Sequence, residues 1–163
     1  MNLPLVLLFG LKVGFLSGLR AFTPLALISW LAIWGWVPLA GSPLWFFGTT
    51  TAAVILSILA VGELIADKLP KTPPRTQVAP IAGRAVTGAC SAAALCVAAG
   101  QPWILGVLAG VLGSVAGAFG GFHLRRFFVQ RLKIPDLLVA LTEDFATIAG
   151  ASLLVRYFFN APV

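Results

Sequence analysis

Apolar residues fill this chain in long runs, parted only by short stretches rich in glycine, proline or charge. Leu3 to Val37, Leu44 to Ala66, Ile81 to Ala99, a run from Trp103 to Phe122 and Leu137 to Phe159 each reach the length of a membrane-spanning helix or exceed it. The pattern predicts an all-α fold, a polytopic transmembrane helix bundle of about five spans, organised as a single integral-membrane domain over residues 1–163.

The first run is the irregular one. As one helix it would extend about 50 Å, well beyond a hydrocarbon core of roughly 30 Å, so it has to tilt, break or fold back. The place to break is Ser17-Gly18-Leu19-Arg20-Ala21-Phe22-Thr23-Pro24, where glycine weakens the helix and proline removes a hydrogen bond. The first helix is therefore expected to be broken or re-entrant. One broken span puts the N-terminus and the C-terminus on opposite sides of the membrane; folding back moves the N-terminus across.

Composition sharpens this reading. With 60% hydrophobic and 10% charged residues and a mean hydropathy of +1.01, the chain leaves no length for a separate soluble domain. Its net charge of +6 does not point to nucleic acid, because the basic residues gather in two loops beside apolar runs, 68–84 and 123–133. The positive-inside rule places both loops in the cytoplasm, and Trp34, Trp36, Trp45, Trp103 and Tyr157 then fall at the opposite interface as an aromatic belt. Met1 to Phe9 lacks the positive start of a signal peptide and is expected to stay in the mature protein.

Candidate chemistry lies where charge meets hydrocarbon. Glu63 and Asp67, one helical turn apart, share a face at the end of the second run, and Lys68, Lys71, Arg75 and Arg84 follow as possible counter-charges. Acids at a helix C-terminus oppose its dipole, which marks them as serving either an ion site or a static salt-bridge network. Glu143 and Asp144 form a second pair. If Asp136 caps the last helix after Pro135, they lie about 10 Å along it, within hydrocarbon depth; if Thr142 is the cap, they occupy the first turn. The deeper placement points one of the two inward. Arg20 sits beside the break and needs a carboxylate partner, for which Glu143 or Asp144 is expected, with Thr23 and freed carbonyls around it.

Gly106, Gly110, Gly113 and Gly117 draw a ridge of small residues along the fourth run, read as a packing or homo-oligomer face. Arg125, Arg126, Arg131 and Lys133 report topology and are placed to meet anionic lipid in the bilayer. Cys90, Cys96 and His123 match no ligand spacing, so neither a metal site nor a cofactor is expected. Gly14 to Arg20 is similar to Gly117 to Arg125, and each half of the chain later presents an acidic pair, which is compatible with an inverted repeat.

Taken together, Gly18 to Pro24, Gly62 to Lys68, Pro80 to Arg84 with Gly88, and Thr142-Glu143-Asp144 give a chain that resembles, almost end to end, a family of small bacterial integral-membrane proteins classed as a domain of unknown function. The resemblance implies a multi-pass protein of the bacterial inner membrane and brings no activity with it. The residues themselves favour a small transporter or channel for an ion or small anionic solute, with Arg20, Thr23, Glu63, Asp67, Arg84, Glu143 and Asp144 at its site. The other reading is a non-transporting scaffold or partner subunit in which the same charges are structural. No nucleophile is arranged beside a base, so an enzyme is not expected.

Overall fold

The computed structural model describes residues 1–67 and 77–160. In them the chain forms six α-helices: α1 (Leu3–Leu19), α2 (Phe22–Ile33), α3 (Thr50–Ala66), α4 (Val78–Ala98), α5 (Trp103–Gln130) and α6 (Asp136–Asn160), with a 3-10 turn at Trp45–Gly48. Three of them, α4, α5 and α6, are long and apolar enough to cross a membrane, and α1, α2 and α3 are shorter apolar helices.

The break in the first run follows from Pro24. Proline cannot donate to the carbonyl four residues back, and its ring collides with that carbonyl, which here belongs to Arg20. Arg20 accordingly leaves the helix with φ −136° and ψ 111°, and Pro24 falls in the first turn of α2, where no N–H is needed. The chain then folds back. On α1, Leu16 lies against Gly150 and Phe9 against Phe158, so α1 runs antiparallel to α6. Leu27, Leu31 and Trp36 line a groove with Ser152, Val155 and Arg156, and Trp36 meets Phe159, so α2 runs parallel to α6. Helices α1 and α2 thus form a hairpin with its tip at Arg20. The fold-back alternative is the one the protein adopts, and the N-terminus shares an end with the close of α6.

The remaining directions alternate. Trp30 Nε1 donates to Ser57 Oγ and Ala21 N donates to Glu63, which sets α3 antiparallel to α2. Gly106 lies against Ala92, and Gly88 against Gly110 and Ser114, which sets α5 antiparallel to α4. Trp34, Trp36, Trp45, Trp103 and Tyr157 are exposed together at one end, which also holds the contact of Gln101 Nε2 with Met1 O. Arg125, Arg126 and Asp136 mark the opposite end, where α5 turns into α6.

The glycine ridge is consumed inside the chain. Gly106, Gly110, Gly113 and Gly117 are all buried; α4 backbone covers the first two and α1 backbone the last two. At Gly110 a Cβ would run into Ala89 Cα and the Gly88 carbonyl, and at Gly117 into the Phe15 carbonyl. The expectation that these glycines present a face to a second copy is corrected here: backbone-to-backbone contact with α1 and α4 uses them up. Gly14 to Arg20 and Gly117 to Arg125 end on α1 and α5, which run parallel because Gly14 packs at Gly110 and Gly18 at Gly117. An inverted repeat sets its equivalent helices antiparallel, so it does not relate these two segments.

Outside, Ile58, Leu108, Leu112, Phe145 and Leu153 are exposed over the flanks of α3, α5 and α6. An apolar surface this extensive belongs in lipid.

Candidate functional site

The hairpin tip leaves backbone groups that no helix satisfies: carbonyls at the end of α1 and amides at the start of α2. Side chains from two other helices answer them. Arg84 of α4 donates from Nη1 to the carbonyls of Gly18 and Leu19, both at 2.8 Å. Glu63 of α3 accepts from the amides of Ala21 and Phe22 at 2.8 and 3.0 Å, one carboxylate oxygen to each. A cation thus sits at the negative end of α1 and an anion at the positive end of α2. This explains the position of Glu63, which the dipole of its own helix opposes: it serves the N-terminus of the neighbouring one. Glu63 and Arg84 also meet each other at 3.4 Å.

Arg20 occupies the gap between the two helices. Its Nη1 meets Asp67, the C-cap of α3, and its Nη2 meets Asp144 of α6. Asp67 lies 3.9 Å from Arg84 as well, so one chain of charge runs Asp144, Arg20, Asp67, Arg84, Glu63 across four elements. The side chain of Arg20 is 0% exposed, that of Arg84 6%, and the three carboxylates 10–12%. Arg20 Nε and Thr23 Oγ1 are buried and have no hydrogen-bond partner among the described residues.

Depth follows from the helices. From Trp103 to Gly117, which packs on Gly18, is about 21 Å of helix, and Arg125 is about 12 Å further on. The cluster therefore lies within hydrocarbon depth, nearer the Arg125 end than the tryptophan end. Charge held there without water needs the mutual pairing seen.

The second acidic pair takes the deeper of its two placements. Helix α6 starts at Asp136, and Thr142 is inside it, its Oγ1 donating to Val139 O. Asp144 points inward to Arg20, while half-buried Glu143 turns to a 350 Å³ crevice between α5 and α6 that Leu19, Arg125 and Thr142 also line. Glu143 is thus not the partner of Arg20. Lys68, Lys71 and Arg75, the other cations that could answer Glu63 and Asp67, lie outside the described residues.

At the far end Arg125 grips Asp136 through Nε and Nη2, both at 2.8 Å, and Arg126 Nε donates to Gln130 at 2.9 Å. Arg131 and Lys133 are exposed beyond them.

Freed carbonyls were expected beside Arg20, and those of Gly18 and Leu19 are taken by Arg84; the pairing of Arg20 with Asp67 and the Ala21 and Phe22 amides were not foreseen. The carbonyls and amides had a signal in Pro24, four residues after Arg20, which fixes where backbone groups come free. The Arg20–Asp67 pair had none, since it depends on how α3 docks against the hairpin.

The chain belongs to the family described as Domain of unknown function (DUF4126), which matches residues 7–161. No curated protein and no solved structure matches it.

Proposed function

We propose that this member of the DUF4126 family is a small membrane transporter or channel for an ion or small anionic solute, with its site at the tip of the α1–α2 hairpin. One observation carries the reading: a wholly buried arginine at a helix break, gripped by carboxylates from two other helices, keeps a further buried donor unused. Broken helices meeting inside a membrane, with their dipole ends turned on a binding site, are the way secondary transporters hold ions and charged solutes. Arg20 and Thr23 would meet the anionic group, and Asp144 and Asp67 would release Arg20 when they take up a proton or cation.

Glu63 and Arg84 have a different part in this proposal. Their hydrogen bonds go to backbone, so they hold the hairpin shut while Arg20 changes partners. The same caps favour the second reading, a non-transporting scaffold or partner subunit whose charges are locked. In either case the basic end faces the cytoplasm of a bacterial inner membrane, and any homo-oligomer forms through faces other than the glycine ridge.

The deciding experiment is flux through purified protein in sealed vesicles, under an imposed pH or ion gradient with a panel of small anions. Asp144→Asn and Glu143→Gln are run beside the parent. Transport predicts flux in the parent and loss of gradient coupling in Asp144→Asn with the fold intact. A folded parent that moves nothing across a broad panel, with Asp144→Asn changing only its melting temperature, leaves the scaffold.

A further inference from the structure

Lys12 is a charge on α1 that the hairpin site does not use. It lies on α1 about 13 Å of helix below Leu3, on an exposed face and so within hydrocarbon depth. An ammonium there requires a counter-ion or a route to the interface. The chain offers no acidic side chain to it, because its five acids are Glu63, Asp67, Asp136, Glu143 and Asp144, all at or beyond the level of Arg20. Lys12 Nζ instead lies 5.8 Å over the ring of Phe9, one turn nearer the tryptophan end. The side chain is therefore drawn upward along α1, the direction in which lipid headgroups lie.

A groove begins at that point. Between α1 and α6, Phe9, Lys12, Leu16, Gly150, Leu154 and Tyr157 line an open groove of 540 Å³ with mostly apolar walls. Gly150 hollows its floor, since a Cβ there would come within 3.3 Å of Leu16. Tyr157 stands exposed beside it, and among the described residues Arg156, on the other flank of α6, is the one other cationic side chain at this end.

We infer that this groove is a binding site for an acidic phospholipid, one acyl chain lying over Leu16, Gly150 and Leu154 and the phosphate meeting Lys12 Nζ, with the Tyr157 hydroxyl as a second donor. Charge complementarity selects the occupant: a mostly apolar slot with an ammonium at its upper part and no acidic side chain nearby among the described residues fits an anionic headgroup carried on a hydrocarbon chain. This site is separate from Arg20 and holds whether or not the protein transports anything.

Delipidated protein in detergent is titrated with phosphatidylglycerol, phosphatidylcholine or oleate, and retained lipid is counted by native mass spectrometry. The parent is expected to hold phosphatidylglycerol about fivefold more tightly than phosphatidylcholine. Lys12→Gln removes that preference and Lys12→Arg keeps it. Gly150→Val, which fills the floor but leaves the charge, weakens retention of phosphatidylglycerol, and a melting curve on each variant confirms its fold. Unchanged preference in folded Lys12→Gln overturns the assignment, as does equal retention of the two phospholipids or retention of oleate alone.

Discussion

Arg84 and Glu63 close one break in the backbone from its two sides: Arg84 caps the carbonyl end of α1, Glu63 caps the amide end of α2, and the two side chains meet at 3.4 Å. Neither residue lies on the hairpin it holds. The bend at Arg20 is stable because two later helices supply the hydrogen bonds that the bend releases.

Removing the anionic cap leaves two buried amides unsatisfied and Arg84 with less counter-charge. Glu63→Ala is expected to destabilise the protein by about 3 kcal/mol, and Glu63→Gln, which keeps one acceptor oxygen, by about half as much. Thermal unfolding in detergent, followed by circular dichroism, ranks the two; equal melting temperatures for parent and Glu63→Ala would remove Glu63 from the cap.

Arg20 reaches carboxylates on two helices because its guanidinium presents separate nitrogens to each. A lysine concentrates its charge on one nitrogen and cannot fork in this way. Arg20→Lys is therefore expected to lose about 2 kcal/mol of stability despite keeping the charge, and Arg20→Gln more, since Asp67 and Asp144 then face each other without it. A double-mutant cycle of Arg20→Gln with Asp144→Asn measures the pairing directly, and a coupling energy near zero would contradict it.

Helical glycines with tight and with open surroundings respond in opposite ways to a side chain. Gly117→Val places side-chain atoms against the Phe15 carbonyl and is expected to lose about 3 kcal/mol or fail to fold. Gly83 on α4 and Gly62 on α3 have open space around them, so alanine at either site is expected to raise stability by about 0.5–1 kcal/mol through helix propensity. Melting temperatures of the three single variants test both directions at once.

The hairpin also fixes how the ends relate. With α1 and α2 antiparallel and the later helices alternating, tags fused before Met1 and after Val163 should lie on the same side of the membrane. Single cysteines at Gln101 and Gln130, in a background lacking Cys90 and Cys96, should be labelled from opposite sides, with Gln101 on the side of the tags. Protease protection of the tags and impermeant maleimide labelling read these out; tags on opposite sides would mean that the first run crosses as one span.

The membrane class, the irregular first run and the residue types of the site were legible in the sequence, because hydrocarbon imposes its rule on each helix separately: apolar length, few charges, a proline where the helix must yield. So was the gathering of aromatic residues at one end, since it needs only the order of runs along the chain. Glu63, Asp67, Arg84, Arg20 and Asp144 were all named from their intramembrane setting, and they do come together. Which of them touch was decided elsewhere. Glu143 and Asp144 are neighbours in the chain, yet only Asp144 reaches Arg20, because the rotation of α6 about its axis is set by Leu16 against Gly150 and Phe9 against Phe158. The glycine ridge looked like an outward face for the same reason: the sequence records that small residues line one side of α5, whereas only packing settles that α1 and α4 are the helices that fill it. Local chemistry determined what each segment had to be, and the tertiary structure alone decided which segments met, since those contacts depend on helix directions and rotations that no single segment encodes.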